Sequence, residues 1–243
     1  MDRPLLDLNP ALDVPALAAA FARDRRVQVR DVLTDASART LHHIAAHETP
    51  WGLSWQAGSQ GPEDLREAQL AAMPAAERQA RGQATLAAMA RAEYAFAFAS
   101  YPLVEAYRGK WAPGGPHDML LEYLNHRPVM DLVRAITGLA DLVKADAKLT
   151  LFRPTQFLAV HNDQSTAAGR RVAYVLNLCA EDWRPDWGGY LNFYDDDGDV
   201  IAGWRPRFNA LNLFAVPQRH NVTFVPPYSP VARYAITGWF RDK

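Results

Sequence analysis

The stretch FLAVHNDQS, residues 157–165, ends a run of strand-forming residues on two side chains that can hold a metal, His161 and Asp163. Side chains of a strand alternate faces, so residues two apart point together. A His-x-Asp at a strand end is therefore a preformed pair of ligands. A third ligand must come from elsewhere. His220, in VPQRHNVTFV, opens another β-like run after a proline-containing turn. Two imidazoles and one carboxylate make a facial set with open positions, the donor arrangement of non-haem Fe(II) oxygen chemistry. The single cysteine, Cys179, offers no thiolate set for structural zinc.

Farther on, RYAITGWF (233–240) alternates Arg233, Ala235, Thr237 and Trp239 onto one face. An inward arginine on a buried strand is costly unless an anion meets it, and its planar fork suits a carboxylate. A dicarboxylate that chelates the metal at one end and pairs with Arg233 at the other accounts for both features.

Other chemistry-bearing stretches read more plainly. HHIAAH sets His43 and His47 one helical turn apart, but Ile44 stands where a metalloprotease helix needs glutamate. A solvated helix face fits better. DDDGDV lacks the spacing of a calcium loop and reads as a hairpin tip. Cys179 reads as a small core residue. Trp51 and Trp55 sit in a stretch read as a loop, TPWGLSWQAGSQGPED (49–64), flanked by Gly52 and Gly58. That loop is either a lid over substrate or an anchor packing loop to barrel.

The elements that must position these residues divide the chain. From about Lys148 the runs LTLFRPTQFLAV, RRVAYVLNL, GGYLNFYDDDGDVIAGW, FNALNLFAV, NVTFV and RYAITGWF are short, β-like and punctuated by Gly, Pro, Asn and Asp. Their spacing predicts a sandwich or barrel. The first part reads mostly helical: 13–24, 34–48, 63–93 and 119–138, with Pro128 as a break and Gly138 as a stop. Only RRVQVRDVL (25–33) alternates as a strand does. The expectation is an α+β chain in which N-terminal helices buttress a β-barrel. One domain spans 1–243, mainly helical support over 1–147 and core over 148–243.

The chain has 243 residues, 49% hydrophobic and 22% charged, with a formal net charge of −1. It can bury a sizeable core without staples, and no whole-protein field favours nucleic acid or an anionic membrane. No apolar run approaches the ~20 residues of a membrane span, and MDRPLLDLNPALDVP lacks a signal-peptide pattern. With one cysteine, a cytoplasmic protein is expected. Oligomeric state is not legible.

The ordered set His161-Asn162-Asp163, RRVAYVLNL, WGGYLNF, His220 and RYAITGWF resembles, across about 152–241, the 2-oxoglutarate/Fe(II)-dependent dioxygenases, in particular their prolyl-4-hydroxylase-like branch. The resemblance implies a double-stranded β-helix, a jelly-roll or cupin-like barrel, with the co-substrate between its sheets. It implies His161, Asp163 and His220 as iron ligands at the catalytic centre. Arg233 would grip the distal carboxylate of 2-oxoglutarate, with Thr237 assisting and Asn177 and Leu191 as further contacts. Asn177 and Phe152 depart from the family's pattern, which often places tyrosines there. Arg170, Trp239, Trp51 and Trp55 fall on the substrate side.

The implied cofactors are Fe(II), 2-oxoglutarate and O2, with ascorbate as a stimulant. The implied reaction hydroxylates an unactivated C–H, first of all in a prolyl residue of a protein or peptide, with release of succinate and CO2. Retention of Asp163 favours hydroxylation over halogenation. Hydroxylation of a free amino acid or metabolite is the alternative, and a catalytically silent barrel that binds metal or ligand is a third reading.

Overall fold

A computed structural model describes residues 5–164 and 169–243. The first part carries helices α1 (Val14–Asp24), α2 (Asp35–His43), α3 (Glu67–Ala72), α4 (Ala75–Ala90), α5 (Leu103–Arg108), α6 (Pro116–Leu124) and α7 (Arg127–Thr137). Strands β1 (Arg26–Arg30), β2 (Leu53–Ala57), β3 (Gln60–Leu65) and β4 (Ala95–Pro102) interrupt them. Then follow β5 (Lys144–Ala145), β6 (Lys148–Phe152), β7 (Phe157–His161), β8 (Arg170–Asn177), β9 (Leu191–Tyr194), β10 (Val200–Trp204), β11 (Ala210–Ala215), β12 (His220–Val222) and β13 (Arg233–Arg241).

Ten strands form one continuous order, β1-β11-β8-β13-β6-β4-β7-β12-β9-β10, with β2, β3 and β5 at its flanks. The sheet curls into a nearly closed antiparallel barrel, the double-stranded β-helix of an α+β chain. One half, β1 to β6, is backed by helices; β4 passes into the other half, β7 to β10. Strand period two separates the two environments. Val172, Tyr174 and Leu176 of β8 pack outward with Phe21, Leu41, Leu120 and Val133 of the helical layer. Ala173 and Val175 turn inward to meet Leu191, Phe193, Phe214 and Ala235. Burial of this kind is the main drive holding helices to sheet.

Local signals set the helix ends. Asp13 caps α1 by accepting from the Ala16 N–H at 3.0 Å. In α7, Pro128 lies in the first turn and Gly138 ends the helix at φ 72°, the left-handed conformation that glycine adopts without strain.

Two expectations are corrected. Residues 49–64 are not a loop: Leu53–Ala57 and Gln60–Leu65 pair as a hairpin, and β2 continues onto β4. The alternation there is diluted by Ala, Gly and Gln, which hides the period. Trp55 is 4% exposed, donates from Nε1 to Thr85 at 2.8 Å, and packs with Ala88, Phe157 and Ala159. Trp51 donates to the Ala45 carbonyl and lies against the helical-side core. Both are packing anchors rather than parts of a substrate lid. The N-terminal part is also more than helical support, since β1 and β4 belong to the barrel itself. The stretch 164–170, which the sequence also reads as a loop that sets specificity, falls mostly on 165–168, outside the described residues.

Candidate metal centre

His161 closes β7 and His220 opens β12, and the two stand opposite each other in one antiparallel ladder. Two positions on, Val222 faces Leu158, so β7 has one residue more than β12 over the same interval. This bulge reverses the alternation between Leu158 and His161. Leu158 packs inward with Phe152 and Val222, and the bulge brings His161 to that same side.

Asp163 arrives differently from the sequence argument. The strand ends at His161, and Asp163 takes a left-handed backbone conformation at φ 58°. Asn162 shapes the turn by accepting from the Gln164 N–H at 3.0 Å. A turn, not strand alternation, swings the carboxylate back. Its two oxygens then lie 3.4 Å from His161 Nε2 and 3.4 Å from His220 Nε2. One donor atom from each of the three residues falls within 4.8 Å of the others, the one such cluster among the described residues.

Both imidazoles are held so that Nε2 could bind a metal. His161 Nδ1 faces the Ala159 carbonyl at 2.9 Å and His220 Nδ1 the Gln218 carbonyl at 2.8 Å. An Nδ1–H donating to a carbonyl leaves each Nε2 lone pair toward Asp163. Burial, then the neighbouring His161, pushes His220 down to about 4, so it is neutral near pH 7. Burial raises the Asp163 carboxyl, but the His161 contact, the charges that His220 and His161 carry when protonated, and the Trp239 indole outweigh it and hold it below its usual range.

Arg233 is 1% exposed on the inward face of β13. Its Nη2 donates to Asn177 Oδ1 at 3.3 Å, and its Nε and Nη1 are buried without a partner. Phe152 lies under the guanidinium at 5.3 Å, and Phe98 stacks on Phe152. Gly189, at φ 67°, passes over the arginine, where a Cβ would stand 3.4 Å from Arg233 Cδ. Burial lowers the guanidinium to about 10, still charged near pH 7. Two orphaned donors in an apolar wall fit a carboxylate. The donor set of the triad and these two nitrogens together fit Fe(II) and 2-oxoglutarate.

The other expected residues divide. Asn177 is fully buried and holds Arg233, but its Nδ2 already donates to the Ala210 carbonyl at 3.3 Å. Thr237 Oγ1 is directed at the Lys148 carbonyl at 3.4 Å. Leu191 supplies apolar inner wall. Arg170 stacks on Trp239 at 3.5 Å, its Nε without a partner, and its charge faces Asp163 and Asp146. Cys179 is buried, its thiol pushed up to about 12, mainly by burial.

Sequence reading missed Tyr94, whose ring lies 6.0 Å from His161 and whose hydroxyl burial, then Asp163, pushes up to about 12. The signal was present as YAFAFASY, an aromatic at every second position from Tyr94 to Phe98. It also missed Asp146, which accepts from the Trp239 N–H at 2.7 Å, pairs with Arg241 and so seats the indole.

The family model of the 2OG-Fe(II) oxygenase superfamily matches residues 147–241. A search of curated proteins finds no match. Among solved structures, a prolyl-4-hydroxylase of Pseudomonas putida is similar at 18% identity and TM-score 0.59, over 95% of this chain and 99% of that one. A Trichoplax adhaerens prolyl hydroxylase, solved with a hypoxia inducible factor peptide fragment, is similar at 14% identity and TM-score 0.58, over 94% and 89%. The alpha-ketoglutarate-dependent epimerase SnoN of nogalamycin biosynthesis is similar at 14% identity and TM-score 0.55, over 95% and 82%.

Proposed function

We propose that this chain, whose residues 147–241 match the family model of the 2OG-Fe(II) oxygenase superfamily, uses His161, Asp163 and His220 to hold Fe(II) and Arg233 to hold 2-oxoglutarate, and hydroxylates a prolyl residue of a protein or peptide. The observation that carries the reading is the pairing of a preformed three-ligand cluster with a buried guanidinium whose Nε and Nη1 lack partners. Iron bound there would couple oxidative decarboxylation of 2-oxoglutarate, with O2, to hydroxylation of a substrate C–H.

The chain's own residues do the rest. The carbonyls of Ala159 and Gln218 fix both imidazole tautomers, so the ligands meet the metal without reorganising. Asn177 holds Arg233 in place to orient the distal carboxylate, and Phe98 and Phe152 exclude water from that pairing. Trp239, seated by Asp146 and covered by Arg170, offers a flat wall beside Asp163. A pyrrolidine ring packs well on such a wall. The likeness in fold to the two prolyl hydroxylases supports this substrate class.

Small-molecule oxidation is the second reading, favoured by the likeness to SnoN. The test is turnover by purified chain loaded with Fe(II). Succinate release stimulated by a proline-containing peptide, with a 16 Da gain on proline, supports the first reading. Succinate release stimulated only by free amino acids or metabolites supports the second. Iron binding without any substrate-stimulated succinate would leave a silent barrel.

A further inference from the structure

Away from the triad, the barrel has an open seam. The strand order begins at β1 and ends at β10, and these edge strands share no ladder. A cleft of about 450 Å³ lies between them, lined by Gln28 and Arg30 of β1, Trp204 of β10, Arg205 and Arg207 just beyond it, and Tyr190 ahead of β9. That size is within the range of small-molecule sites.

Three guanidinium groups border this cleft, and no lining residue is acidic. Arg205 uses Nη1 on Asp182 at 3.1 Å and on the Trp183 carbonyl at 3.0 Å, while its Nε is buried without a partner. The Asp182 side chain is 92% exposed, so it neutralises little. Among the described residues, Arg30 and Arg207 make no side-chain hydrogen bond or ion pair. The Arg207 guanidinium is held below its ordinary value by burial and then by the charges of Arg205 and Arg30; Tyr190 and Asp182 oppose this. Gln28, itself in the lining, donates to Asn212 Oδ1 at 3.0 Å behind it, and Asn212 Nδ2 is buried without a partner. Like charges converging in a concave, donor-rich seam raise the energy of the empty state and focus a positive field outward.

We propose that this seam is a second anion site, separate from the triad, that takes the phosphoryl group of a small molecule. A lone carboxylate is satisfied by one arginine fork, as at Arg233. Three forks from two strand ends ask for an anion with at least three acceptor oxygens. Trp204 and Tyr190 line the same cleft and give a ring attached to the phosphate apolar surface to pack on. Because the donors come from both ends of the sheet, the anion would also clamp the barrel shut.

The test titrates inorganic pyrophosphate into the full chain by calorimetry at low salt. Three proteins are compared: wild type, the Arg30→Gln/Arg207→Gln double variant and Arg233→Met. Wild type should show one saturable site. The double variant should bind at least tenfold more weakly, and Arg233→Met should bind as wild type does. Absence of saturable binding to wild type overturns the proposal. So does binding that the double variant keeps, or binding that Arg233→Met loses, which would put the anion in the co-substrate site. If the double variant melts early, Arg30→Gln alone decides, since Arg30 is an exposed edge residue; it must still weaken pyrophosphate several-fold. A nucleoside diphosphate run in parallel separates ester from free anion: tighter binding than pyrophosphate assigns that apolar surface to a ring, and equal binding assigns the site to free phosphate.

Discussion

His161 and His220 face each other across one ladder only because β7 carries an extra residue between His161 and Leu158. Without that bulge, alternation would put His161 on the face opposite Leu158, which packs inward. Deleting Val160, a 39% exposed residue inside the bulge, should restore plain alternation and turn His161 away. The expected result is a folded chain whose Fe(II) affinity falls by about two orders of magnitude or more, since even losing a ligand's hydrogen-bond partner typically costs about 10–100-fold. Anaerobic iron titration beside circular dichroism reads both; undiminished affinity would show that the bulge does not aim His161.

Asp163→Ala should abolish tight Fe(II) binding and 2-oxoglutarate turnover together. The left-handed backbone at φ 58° makes alanine strained there, so Asp163→Asn, which tolerates that conformation, is the paired control. Asparagine should keep the melting temperature and still lose iron by at least tenfold. If it binds iron as wild type does, the carboxylate is not a ligand.

Arg233→Met should have opposite effects on stability and on binding. A buried guanidinium with two orphaned nitrogens costs the metal-free fold, so an apolar replacement should leave melting unchanged or raise it. The same variant should lose co-substrate affinity by about 3–5 kcal/mol, roughly a factor of 10²–10⁴. Melting curves with and without 2-oxoglutarate test this. A variant still stabilised by 2-oxoglutarate would make Arg233 purely structural.

His220 gives the metal-free protein an acid-sensitive arm. Its folded value, about 4, lies below the ordinary histidine value of 6.5. The folded state therefore binds fewer protons than the unfolded chain between those limits. Stability is full above about 6.5 and falls as pH drops toward 4. Urea melts of metal-free protein from pH 7 to 4.5 should show this slope, and His220→Asn should flatten it. An equal slope in the variant would assign the arm to another group.

Trp55→Ala should destabilise the fold by about 3–5 kcal/mol, the usual cost of emptying a buried aromatic site. It should leave the Michaelis constants for 2-oxoglutarate and for substrate near wild type in the fraction that stays folded. A stable variant with a selectively raised substrate constant would return this tryptophan to the substrate side.

Much of this protein was legible as sequence because the signals are local. Alternation over RYAITGWF placed Arg233, Ala235 and Trp239 on one inward face, and β8 beside them keeps the same period. Turn residues delimited the strands after Lys148, and the lone Cys179 with an ordinary apolar fraction announced a core without staples. The three ligand-type residues were likewise visible as types in order. Tertiary structure decided how they meet. Period two predicted that His161 and Asp163 point together from one strand, but they converge through a bulge before His161 and a left-handed turn at Asp163, and neither has a periodic signature. The barrel's joining strand, β4, carries an alternating signal in YAFAFASY, but its joining role depends on pairing with β6 and β7, about 50 residues or more away, which no local pattern announces. Whether Trp51 and Trp55 covered a site or filled a core was likewise undecidable from spacing. Of their neighbours, Tyr234, Thr85 and Phe157 come from distant segments, and only the packed chain brings them together.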